Sequence, residues 1–156
     1  MTPRAAPAMI LPRACVLALA GMALVPGVRA ADDPAQCLAL ATYWESKGCS
    51  RADMAAVGGV VLNRLADAAF PDEVCAVVKE GGETPPCQFS WWCDGKPDRP
   101  EEDAEWRAAR AVAEKLLSDP PPDPADGALY FHSISIDPPW PDRQKIAETD
   151  CHVLYK

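Results

Sequence analysis

Six cysteines in the segment that follows an N-terminal apolar run constrain this chain more than any other feature. The chain has seven in all. Cys15 lies in the run "ACVLALAGMALV", Ala14 to Val25, which is preceded by Arg4 and Arg13 without an acid and followed by Val28-Arg29-Ala30. That order predicts a secretory signal peptide over 1–30, cleaved after Ala30. The run is too short to cross a bilayer as a helix. Cys37, Cys49, Cys75, Cys87, Cys93 and Cys151 remain in 31–156, a length suited to one domain with one core. An even number of cysteines in an exported chain argues for disulfides, and six allow 15 pairings. Cys87 and Cys93, five residues apart between their ends, are the candidate local pair. Zinc is a poor alternative, because there is no C-x-x-C pair and the two histidines, His132 and His152, lie far apart. Neither a metal nor an organic cofactor is expected.

Charge excludes another class. Of 15 Lys and Arg residues, Arg4, Arg13 and Arg29 belong to the leader, which leaves 12 against 23 acids and a net charge of −11. Nucleic acid is therefore an improbable partner. No segment after the leader reads as a membrane span. A soluble monomer, exported to the periplasm, the cell wall or the medium, is expected.

Helix signals punctuate the domain. Asp33-Pro34 reads as an N-cap with Pro at the first helical position, opening a helix that runs to about Lys47 and stops at Gly48. Ser50 caps a second helix, with Asp53 completing a capping box, to about Ala66. Gly58 and Gly59 in its middle weaken a helix by about 1 kcal/mol each relative to Ala, which argues for close approach of a neighbour. A short third helix is expected over 71–80. A fourth begins near Pro100 with an apolar stripe of Trp106, Ala109, Ala113, Leu116 and Leu117. The loop "SDPPPDPADG" ends it, and "ALYFHSIS" and "CHVLYK" suit short strands. The fold class is mainly α, α+β: about four helices with a small β element, held by disulfides.

One residue is out of place. Wound at 100° per residue, the first helix puts Leu38, Ala41, Cys37, Trp44 and Leu40 on one arc, with Thr42, Ser46, Gln36 and Lys47 opposite. Glu45 falls inside the apolar arc, in the last turn. Desolvation and the negative end of the helix dipole both raise a carboxyl pKa there. An acid kept protonated near neutral pH is what general-acid cleavage of a glycosidic bond requires. An edge glutamate paired with a Lys or Arg is the structural alternative. The stretch "CQFSWWCDG", 87–95, supplies what a sugar would need. Gln88 and Ser90 can bond hydroxyl edges; Phe89, Trp91 and Trp92 can cover C–H faces. Tyr130, His132 and Trp140 are further groove candidates, whereas Asn63 and Arg64 read as a structural pair bracing the Glu45 helix.

Taken together, "CLALATYWESKG", "VVLNRL", "FPDEVCAVV", "CQFSWWCDGKPDRP", "YFHS", "PPW" and "HVLYK" resemble the cell-wall hydrolase family typified by the spore-cortex-lytic enzyme SleB. The resemblance implies a lysozyme-like domain of the lytic-transglycosylase type, acting on peptidoglycan between N-acetylmuramic acid and N-acetylglucosamine. It maps the catalytic acid/base onto Glu45. Two segments depart from the family pattern: Ser46-Lys47-Gly48-Cys49 stands where Ala-Arg-Gly-Glu is common, and Asp150-Cys151 stands where Ile-Gly usually precedes His152. The second departure puts a role for His152 in doubt. Asp94 and Asp98 are candidates for a second carboxylate, but a one-carboxylate route is implied, ending in a 1,6-anhydro product. The rival function is a non-catalytic, disulfide-rich exported wall-binding or inhibitor-like module.

Overall fold

The structure, a computed structural model, describes residues 33–137 and 140–156. The expected leader and the Pro138-Pro139 pair lie outside the described residues. The chain folds as α1 (Pro34–Glu45), α2 (Arg51–Leu65), α3 (Val74–Val78), a 3-10 turn (Ser90–Cys93), α4 (Ala104–Ser118), then β1 (Tyr130–Ser133), β2 (Lys145–Glu148) and β3 (His152–Tyr155). Four helices and a small sheet were legible in the sequence; strand β2 was not. Among the described residues, no helix is long and apolar enough to cross a membrane.

Helix α1 is the centre of the domain. Asp33 caps it by accepting from Ala35 N at 3.1 Å, and it packs on α4, α2 and α3. Leu38, Ala39, Ala41 and Tyr43 are buried, and so are Thr42 and Ser46, which the helical wheel assigned to the polar side. Thr42 escapes the cost of burial by donating to Ala39 O at 3.0 Å. A helix surrounded on several sides has no polar face to find.

Helix α2 meets α1 and α4 at Gly58 and the loop after α4 at Gly59. A Cβ on Gly58 would stand 2.5 Å from Leu116 Cδ1, and one on Gly59 would stand 2.9 Å from Pro124 Cγ. Ser50 caps α2 through Asp53 N at 3.2 Å, but the expected capping box does not close. The Asp53 side chain turns inward instead, fully buried. Helix α4 starts later than expected, at Ala104, because Asp103 accepts from Trp106 N at 2.7 Å. Of its predicted stripe, Trp106, Ala109, Ala113 and Leu116 are buried, while Leu117 faces solvent.

The sheet has order β1-β3-β2, all antiparallel, pairing Phe131 with Leu154 and His132 with Val153. Leu154 joins Ala56, Val60, Ala125 and Ala128 in a small second core that fixes the sheet against α2. Three disulfides tie the parts together: Cys37–Cys75, Cys49–Cys151 and Cys87–Cys93. The first holds α1 to α3, the second joins the α1–α2 corner to the start of β3, and the third closes the aromatic loop as expected.

Candidate active site

The end of α1, the end of α2, the loop at 87–90 and the sheet enclose a cleft of about 520 Å³. Glu45 is the only carboxylate among its described lining residues. Asp94 and Asp98 are elsewhere: Asp94 makes a turn, accepting from Lys96 N at 2.8 Å, and neither lines the cleft. Burial pushes the Glu45 carboxyl up to about 7, against the opposing pull of the Arg64 guanidinium. Glu45 therefore holds its proton up to about pH 7 and can give it up there.

Arg64 is the residue the sequence reading undervalued. It lies in the cleft lining, yet only 2% of its surface is exposed. Nε donates to Leu129 O at 2.7 Å, and with the Gln88 amide turned so that its oxygen faces the guanidinium, the orientation that satisfies both groups, that oxygen accepts from Nη2 at 3.0 Å and Nη1 at 3.1 Å. The rings of Phe70, Phe89 and Tyr130 surround the guanidinium, with centroids 5.3, 5.6 and 5.8 Å from Cζ. Desolvation lowers its pKa to about 10, well above the neutral range, so the charge persists beneath the cleft. The signal was available. Arg64 follows Val57, Val60 and Val61 on the buried face of α2 at helical spacing, the same anomaly that marked Glu45.

Of the other predicted substrate-binding residues, Gln88, Phe89, Ser90 and His132 line the cleft with Glu45, as does Trp140. Phe89 is 98% buried and mostly supports Arg64 and Phe131. The remainder lie apart. Trp91 is buried in the main core, edge-on to Trp92, and is not a cleft wall. Trp92 stands beside Lys79, whose Nζ lies 5.1 Å from the ring centroid. Tyr130 lies outside the lining, beneath Arg143 at 3.3 Å from centroid to Cζ. Lys47, the departure from the family's Arg, lines the cleft and donates to the Tyr43 hydroxyl at 2.9 Å. His152, which the sequence left in doubt, lines the cleft too. The Cys49–Cys151 bridge forms part of the same wall, so the two departing segments are bonded to each other.

A small helical domain with one desolvated acid in a polar and aromatic cleft has the form of a site for acid–base chemistry on a polar substrate. The chain belongs to the cell wall hydrolase family, whose model matches residues 48–155. Over 104 residues it is 35% identical to the spore cortex-lytic enzyme of Halalkalibacterium halodurans, covering 64% of this chain and 27% of that protein. The chain thus spans about a quarter of that relative's length. Its fold matches the catalytic domain of the germination-specific lytic transglycosylase SleB from Bacillus anthracis, with a TM-score of 0.64 and 28% identity over 84% of this chain and 98% of that one. The catalytic domain of the Bacillus cereus SleB protein matches with a TM-score of 0.63 and 27% identity, over 83% and 99%. The resemblance read from the motifs and the mainly helical fold class both stand.

Proposed function

We propose that this protein is an exported peptidoglycan-degrading glycosidase that cleaves the bond between N-acetylmuramic acid and N-acetylglucosamine by lytic transglycosylation, with Glu45 as its single acid and base. The observation that carries this reading is the Glu45 carboxyl, desolvated to a pKa of about 7 as the only carboxylate among the described residues of the cleft. The family match begins at residue 48, so support for Glu45 itself comes from the site.

Glu45 donates its proton to the leaving glycosidic oxygen as the bond from C1 breaks. The resulting carboxylate takes the proton of the muramic acid C6 hydroxyl, whose oxygen bonds to C1 and closes the 1,6-anhydro ring. The glutamic acid is regenerated, and no water is consumed. An intramolecular nucleophile removes the need for a second carboxylate to hold a water. Arg64 favours the intermediate state in which Glu45 is charged, since its attraction opposes the desolvation. The donors of Gln88, Ser90 and Lys47 suit the hydroxyl and acetamido oxygens of the sugar.

Mass spectrometry of peptidoglycan digested with the wild type and with Glu45→Gln tests this. Anhydro-ended fragments are expected from the wild type and none from the variant. Reducing-end products alone would replace transglycosylation by hydrolysis, and an active Glu45→Gln protein would remove Glu45 from the mechanism.

A further inference from the structure

The two histidines of the chain both line the cleft, but they use their ring nitrogens differently. His132 engages both. Nδ1–H donates to Ser133 O at 2.8 Å, and Nε2 accepts from the Tyr155 hydroxyl at 3.0 Å. Its ring also stacks on Tyr155, with centroids 5.2 Å apart, and so offers the cleft a surface but no free nitrogen.

His152 engages one. Its Nδ1 lies 3.1 Å from Asp53 Oδ2 in the buried first turn of α2. Asp53 Oδ1 accepts from the Thr149 hydroxyl, and Thr149 Oγ1 accepts from His152 N at 3.0 Å. The carboxylate can only accept, so the hydrogen of the neutral ring is on Nδ1 and the lone pair is on Nε2. No described residue is placed to bond Nε2. Nor is Nε2 one of the sealed, unbonded polar atoms of the interior, which are Trp44, Trp91 and Trp92 Nε1, Ser46 Oγ and Glu80 Oε2. Nε2 therefore keeps some exposure, and the cleft is the space that His152 lines, although only 4% of the residue is exposed. The ring is held edge-on to Phe131, with centroids 5.0 Å apart, so the lone pair has a fixed direction. The other wall is rich in donors: protonated Glu45, Arg64, Lys47 and the Gln88 amide.

The geometry points to His152 Nε2 as an acceptor for an O–H or N–H of the bound glycan, with Asp53 as the positioning residue that sets the tautomer. This assignment rests on the glycan-cleaving reading. It makes Asp53-His152 a device that recognises one donor on the sugar, a hydroxyl or an acetamido N–H, from the sheet side of the cleft.

Imidazole ¹⁵N spectra of the histidine-labelled wild-type protein test it directly. Titration with N-acetylated chitotetraose, with cellotetraose as the arm carrying a hydroxyl in place of each acetamido group, is expected to move the His152 Nε2 resonance while Nδ1 stays. Movement with both sugars identifies a hydroxyl donor, and movement with the first alone identifies the amide. Saturation by N-acetylated chitotetraose with Nε2 unmoved, or failure of both sugars to bind, overturns the assignment. In kinetics on peptide-stripped glycan strands, His152→Phe keeps the ring volume and removes the acceptor. It is expected to raise KM about tenfold, one hydrogen bond's worth, with kcat changed less. Asp53→Asn can donate to Nδ1 and so move the hydrogen to Nε2, and it should match that rise in KM. Lower stability with KM unchanged in both variants would leave the pair a structural brace and also overturn the assignment. If the wild type bound glycan through His152 yet released no fragments, the cleavage reading would fail and the contact would stand.

Discussion

Glu45 and Asp53 are eight residues apart in the chain, and both carboxylates are turned toward the interior. They differ in what meets them. Asp53 is fully buried in the first turn of α2, where the helix dipole favours an acid, and both oxygens are bonded, to His152 and to Thr149. Glu45 is in the last turn of α1, where the dipole disfavours an acid, and its main influences are desolvation and a guanidinium that only partly offsets it. Burial alone does not make a carboxylate reactive. Burial without compensation does, because the proton is then held loosely enough near neutral pH to be given and taken back.

The comparison breaks first at Glu45. Glu45→Gln should lower glycan cleavage by at least 100-fold, the lower range of general-acid effects. The same variant should be more stable at alkaline pH. The folded protein holds this proton up to about pH 7, while an unfolded glutamate releases it near 4.5. Wild-type stability therefore falls as pH rises through that window and stays lower above it, by on the order of 3 kcal/mol. Thermal melts at pH 5 and pH 8 should show that fall in the wild type and its absence in Glu45→Gln.

Asp53→Asn should do the opposite: a loss of about 2 kcal/mol on exchanging a buried carboxylate that accepts from His152 and Thr149 for a neutral amide, measured by denaturant unfolding, with the alkaline limb of the pH–rate profile unmoved. A shifted limb would mean that the two carboxylates are coupled. Arg64→Met sharpens the distinction from the other side. Without the guanidinium, the Glu45 pKa rises further, and the alkaline limb should move to higher pH by a fraction of a unit. The smallest effect belongs to the aromatic loop. Replacing Cys87 and Cys93 by Ser should lower stability by about 2 kcal/mol in the chain-entropy model. It should reduce cleavage more than the melting temperature, because the loop carries Gln88 and Ser90 into the cleft; the reverse would make the bridge a staple alone.

How much of this could be read from the sequence follows from the range of each signal. Caps, glycines and helical spacing are local, so Asp33, Ser50, Gly58 and the oddity of Glu45 were legible. Strand β2, "KIAE", has charged ends and no run of β-branched residues, and it exists because β3 offers it an edge. The Cys49–Cys151 pairing, the turning inward of Asp53 and the choice between the two histidines depend on residues about 100 positions away. The tryptophans of "CQFSWWCDG" mislead for a related reason. An aromatic ring serves a core or a sugar equally well, and only the packing around Trp91 shows which.

The Cys49–Cys151 bridge encloses the chain from α2 to the start of β3, with a sequence separation of 102. A protease that cuts once anywhere between those cysteines, as in the exposed proline loop after α4, leaves two pieces still joined by a covalent bond that runs through the wall of the cleft. The nicked protein should keep its full mass on a non-reducing gel and fall apart only when a thiol is added. An enzyme of this build can survive a first cleavage with its active site still tied together.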